Sequence, residues 1–199
     1  MQDAGYTTGA FGKWGLGNPG TSGAPYLQGF DEFYGYIDQV HAHEHYTEYL
    51  MHNSDTIPVP GNLNGQRKAY VPDLIAEKGL DFIRDNQENP FFLYLPYTPP
   101  HGKYEVPDNS LYADQPWSEK VKNYAAMISR MDGDIGALFS LLEDLELDEN
   151  TSTSGTVDSN WRDLLASVNG NEEELKRQVF SLLVLRKFLP KFRLESFSR

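Results

Sequence analysis

Phe91-Phe92-Leu93-Tyr94-Leu95 is an unbroken apolar run closed by Pro90 and Pro96. A run this short, without alternation and fenced by proline, reads as a strand buried on both faces. Such a strand needs helices over its sheet, and the flanking sequence offers two. Pro72-Asp73 opens the first, with proline in the first turn and Leu74, Ile75, Phe82 and Ile83 on one face; Asn89-Pro90 breaks it. Gly79 weakens it slightly. Ser118 can cap the second, with Glu119 in its first turn. Val121, Tyr124, Ile128, Met131, Ile135, Leu138, Leu142 and Leu145 then follow at steps of three and four, an amphipathic helix of about seven turns. Helix, buried strand, helix is an α/β pattern.

The strand runs straight into Thr98-Pro99-Pro100-His101. Open α/β sheets bind ligands just outside the carboxyl ends of their strands, so His101 stands where a site belongs. Residues 1–70 are rich in Gly, Pro, Tyr and His, the composition of loops held on a scaffold. Ala10-Phe11 ends a short strand that delivers Lys13.

Charge narrows the partners. The chain of 199 residues carries a formal net charge of −12, and nucleic acid would need a basic face. Residues 1–150 hold 9 Lys and Arg against 23 Asp and Glu; residues 151–199 hold 8 against 6. All five His lie at or before position 101. This break predicts two unlike pieces, 1–151 and 152–199. There is no Cys, hence no disulfide, thiolate metal site or Cys nucleophile within these residues. No apolar run is long enough to span a bilayer. The first residues show neither the charged start nor the apolar stretch of a signal peptide, and the compartment stays open.

Lys13 lies between Gly12 and Trp14. A lysine on a glycine-rich turn can bring its ammonium to an anion, or it can be a plain solvated lysine. His41, His43 and His45 alternate: on an extended segment they share a side, on a helix they fan out. Three close imidazoles can suggest a metal, but the spacing does not match His-Glu-x-x-His. His101 can donate a proton to a leaving oxygen or hydrogen-bond an anion near neutral pH. Asp31 reads as a turn residue bonding nearby N–H groups, and His45 and His52 as structural or exposed.

Three runs, Gly12-Lys13-Trp14-Gly15-Leu16-Gly17, Gly29-Phe30-Asp31-Glu32-Phe33-Tyr34-Gly35-Tyr36 and Tyr97-Thr98-Pro99-Pro100-His101, resemble the middle of a type I, formylglycine-dependent sulfatase of the alkaline-phosphatase-like superfamily. The resemblance covers residues 1 to about 151. It implies a partial sulfatase-type mixed sheet flanked by helices. It also implies that Lys13 contacts sulfate and the nucleophile region, with Trp14 beside it, and that His101 works at the leaving oxygen or a sulfate oxygen. His41-Ala42-His43-Glu44-His45-Tyr46 is similar to a segment beside the family's substrate pocket, which implies pocket roles for His41, His43 and Tyr46; Thr47 stands where proline is usual. Gly15 stands where many members have His.

The family's reaction is hydrolysis of sulfate esters through a hydrated formylglycine, with Ca²⁺ polarising the sulfate. None of the family's metal ligands is identifiable here, and no Cys or Ser sits in its Cys/Ser-x-Pro-x-Arg motif. The chain is therefore expected to be inactive alone. A non-catalytic anion-binding module and a helical interaction protein are the alternatives. Thr151-Ser152-Thr153-Ser154-Gly155-Thr156 reads as a linker. Trp161 to Val168 and Glu172 to Leu189 read as an added C-terminal helical segment, with a stripe of Leu175, Val179, Leu182 and Leu183. Strand 91–95 is expected to lack flanking strands, leaving apolar surface open to self-association.

Overall fold

The computed structural model describes residues 1–156 and 182–187. Its strands are β1 (Thr7–Lys13), β2 (Glu32–Tyr36), β3 (Tyr49–His52), β4 (Asp55–Pro58), β5 (Phe91–Pro96), β6 (Thr151–Thr156) and β7 (Leu182–Lys187). They form one sheet in the order β4-β3-β2-β1-β5-β7-β6. β1 pairs in parallel with β2 on one side and β5 on the other, and the remaining pairings are antiparallel. The sheet is therefore mixed, with a parallel centre.

Helices α1 (Val71–Asp85) and α2 (Glu119–Asp144) follow the periodicity of their sequences. α1 buries Ile75, Phe82 and Ile83, while Leu74 stays half-buried. α2 buries Tyr124, Ile128, Met131, Ile135, Leu138 and Leu142. Ser118 sits at its N-cap with an extended backbone, but its side chain makes no capping bond; only its carbonyl accepts, from Val121 and Lys122. Both helices join one core with Phe11, Tyr36, Leu50, Phe91, Leu93 and Leu95. The opposite face carries a smaller cluster of Ala10, Trp14, Phe33, Ile37 and Met51, with Phe30 and Tyr94 beside it.

β5 differs from its sequence reading in two ways. Phe91, Leu93 and Leu95 are buried under the helices, but Phe92 and Tyr94 on the other face are half-buried beside Phe30. A continuous apolar run thus serves a sheet whose described helices cover one face. Its edges are not open either: β1 lies on one side and β7 on the other.

The polar stretch 151–156 is a strand, not a linker, and residues 182–187 are a strand within the stretch read as helical. Their mutual ladder overrides local preference: each residue from Thr151 to Thr156 pairs with one from Lys187 to Leu182. The expected helix Trp161–Val168, and the rest of Glu172–Leu189, lie outside the described residues.

Candidate functional site

Because β1, β2 and β5 are parallel, their carboxyl ends meet at one edge of the sheet. β1 ends on Lys13, whose register partner is Tyr36, the last residue of β2. Two glycines let the strands close there. Gly12 has φ +142° and Gly35 φ +152°, and a Cβ on Gly35 would stand 2.0 Å from the Gly12 carbonyl oxygen. A Cβ on Gly12 would stand 2.2 Å from the Pro96 oxygen. Side chains are excluded on both counts, backbone conformation and space. At the opposite end, Asp31 ties β1 to β2 by accepting from the Thr8 N–H at 2.8 Å and from the Thr8 hydroxyl at 2.9 Å. Burial pushes its pKa up, but these bonds and the Gln2 amide hold it below the ordinary carboxylate value.

Lys13 is half-buried, and among the described residues its ammonium makes no hydrogen bond or ion pair. Trp14, next to it, is buried against Phe30 and Phe33, with its indole N–H donated to the Gly23 carbonyl at 2.7 Å. It anchors the turn that follows Lys13. Gly15 has φ +73°, and the Gln39 side chain fills the space a Cβ would take.

The histidine segment follows β2. His41–His43 is one 3-10 turn, so the imidazoles fan out as the helical option foresaw. Asp38 starts that turn by accepting the Val40 and His41 N–H groups, which hold its carboxyl below the usual range. His41 turns inward: its ring stacks on Tyr49 at 4.4 Å and meets Tyr36 edge-on. The Thr47 hydroxyl donates to the Tyr49 carbonyl and so accepts from His41 Nε2. Burial lowers the pKa of His41.

His43 turns the other way. Its ring lies edge-on to that of His101, centroids 4.8 Å apart. His101 is half-buried in the loop after β5, with its N–H bonded to the Thr98 carbonyl. His45 is wholly buried, and its Nε2 donates to the His101 carbonyl at 3.1 Å. Lys103 and Glu44 form an ion pair between the same two loops. Tyr46 is half-buried under the Arg67 guanidinium, 4.3 Å above its ring, and packs against Tyr70. Burial raises its pKa. His52, at the far end of β3, pairs with Glu32.

The structure thus brings His43 and His101 into contact and sets Lys13 at the same sheet edge. It places Trp14 and His41 in packed surroundings, with their N–H groups spent inside the protein. Sequence reasoning passed over Gln39 and read His45 as structural or exposed, without its partner. Neither carried a local signal, because each acts on a residue distant in the chain.

This is an α/β protein whose mixed sheet presents a lysine and paired histidines at its carboxyl edge. Residues 1–153 match the family model for sulfatases, and the chain belongs to that family. It is 28% identical over 177 residues to the dog (Canis lupus familiaris) N-acetylgalactosamine-6-sulfatase, covering 80% of this chain and 31% of that protein. It is 29% identical over 171 residues to an arylsulfatase of Hemicentrotus pulcherrimus, covering 76% and 29%. The chain therefore spans about a third of the length of these curated relatives. In fold it is similar to the solved Ps i-CgsB in complex with k-i-k-neocarrahexaose (TM-score 0.63, 23% identity, 96% of this chain and 46% of that one). It is also similar to the PsFucS1 sulfatase from Pseudoalteromonas sp. (TM-score 0.58, 20% identity, 77% and 36%).

The family's calcium and formylglycine find no match here. Among the described residues no group of three or more His, Cys, Asp or Glu side chains is arranged to hold a metal ion. No Cys exists in the chain for conversion to formylglycine. The described residues fit neither group.

Proposed function

We propose that this chain forms the sulfate-binding lysine–histidine face of a sulfate ester hydrolase. One observation carries the reading: Lys13 is half-buried at the carboxyl end of the central strand and lacks a carboxylate partner among the described residues. An ammonium without a protein counter-charge at the carboxyl edge of such a sheet is placed to receive an anion, and a sulfate oxygen fits it. In this reading Lys13 binds a sulfate oxygen through a charge-assisted hydrogen bond. His101 stands by the ester oxygen as hydrogen-bond or proton donor, and His43 flanks it. Tyr46 lines the approach, while Trp14 and His41 hold the loops that carry these groups.

The chain alone is expected to bind an aryl sulfate but not to turn it over, since none of its described groups provides the covalent nucleophile. Calorimetric titration with an aryl sulfate tests the binding. Lys13→Ala should weaken affinity about ten- to hundredfold, the range for losing a hydrogen bond to a charged group. Unchanged affinity in that variant would refute the site. Turnover that survives repurification and disappears with Lys13→Ala would refute the inactivity.

A further inference from the structure

We propose that His45 is a positioning residue for His101, a buried latch that fixes the loop after β5 against the loop after β2. The inference rests on the reading above, in which His101 faces the sulfate ester.

Contacts between the two loops gather on the stretch His101–Lys103. The His101 carbonyl can only accept, so the proton of the 3.1 Å bond belongs to His45 Nε2. His45 is 0% exposed, and burial pulls its pKa below the ordinary histidine value, against the opposing pull of the His101 carbonyl and Glu105. A neutral ring with its proton on Nε2 satisfies both facts. On the other side, the His43 ring lies over Gly102, where a Cβ would come within 2.9 Å of its Cδ2, and edge-on to His101. The Lys103–Glu44 ion pair closes the same contact at the surface.

A plain core-filling residue would not look like this. Burying an imidazole is costly unless its N–H is bonded. Here that N–H is spent on the main chain of a site residue, 56 positions along the chain. His101 is preceded by two prolines and followed by Gly102, in the loop beyond the last residue of β5. The His45 bond supplies a fixed point across to the neighbouring loop. Positional errors of about 1 Å at a reacting group carry large penalties, so such a fixed point matters to the site.

The full chain and three variants, His45→Leu, His45→Gln and Lys13→Ala, test this. Leucine keeps apolar bulk and loses the donor; glutamine places an amide N–H near the Nε2 position. Inorganic sulfate is the calorimetric probe, and long-range ¹H–¹⁵N NMR reads the histidine rings. His45→Leu should weaken sulfate binding about tenfold, and His45→Gln should restore it to within about threefold, the scale of one buried hydrogen bond. The His101 ring signals should shift in the Leu variant and return in the Gln variant. Parent His45 should show the Nε2–H tautomer.

Sulfate binding lost in Lys13→Ala but kept in His45→Leu, with His101 signals unmoved, would overturn the latch and leave the proposed site intact. A parent that binds no sulfate would overturn the site, while the His101 signals would still decide the latch. If His45→Leu fails to fold, the parent tautomer decides: a ring protonated on Nδ1, or charged, overturns the proposal.

Discussion

Asp134 shows how far a single residue can depart from its sequence appearance. It lies on the α2 face toward Asp73 and Arg130, and burial, aided by the Asp73 charge and opposed by Arg130, pushes its pKa up to about 7. Between pH 4 and 7 the folded state therefore holds a proton that the unfolded state has released. Stability from this residue is highest in acid and falls as pH rises through that window. Asp134→Asn should raise the melting temperature at pH 8 and leave it unchanged near pH 3, where both states are protonated. Asp134 is only partly buried, so the gain at pH 8 is about 1 kcal/mol after discounting for solvent. Equal shifts at both pH values, in parallel thermal melts, would show that folding does not raise the pKa of this carboxyl. His41 and His45 act in the opposite sense. Their lowered pKa values make the folded state bind fewer protons, so their contribution is lost as pH falls below the ordinary histidine range. At this scale the sequence was legible in where single residues stand, as with Lys13 at the end of β1 and His101 just after β5. It was silent on contacts between residues distant in the chain: nothing local joins His45 to His101 or Gln39 to Gly15.

Elements were legible where one period dominates. α1 and α2 follow from apolar spacing, and β5 from its prolines. β6 and β7 were not legible. Thr, Ser and Gly in β6 read as loop, and Leu182-Leu183-Val184-Leu185 in β7 is a short apolar run that periodicity cannot assign. Each is fixed by its partner rather than by its own residues. Gly79 is a similar case within α1. By propensity it is a weakness, but it faces β5, where a Cβ would lie 2.9 Å from Leu95 Cδ2. Here the glycine is the close-packing point of helix on strand. Gly79→Leu gains about 1 kcal/mol of helix propensity. It should lose more, because overpacking a filled core costs about 1–3 kcal/mol. Thermal or urea denaturation should show net destabilisation; a rise in midpoint would mean that α1 can lift from β5 without loss.

Across the whole molecule, the seven-stranded order explains what the incomplete reading did not. A sheet cut off at β5 would offer a bare ladder of apolar residues, a template for aggregation. β7 covers that edge, register Phe92–Arg186 to Pro96–Leu182, and β6 covers β7 in turn. The outermost strands are then poor templates: β6 presents Ser152, Thr153 and Ser154 to solvent, and β4 is short and carries Asp55 and Pro58. Residues 151–156 and 182–187 are thus part of the sheet. Removing residues 155–199 should expose the β5 edge and lower solubility, with loss of sulfate binding following from a disordered carboxyl edge. Leu185→Pro, a single change at the register partner of Leu93, should act alike, because proline removes a ladder N–H from a strand paired on both sides. Size-exclusion chromatography and the soluble fraction after mild heating measure both variants against the parent. If both remain as soluble as the parent and melt at the same temperature, β7 contributes nothing to the sheet, and β5 must be stable with one edge free.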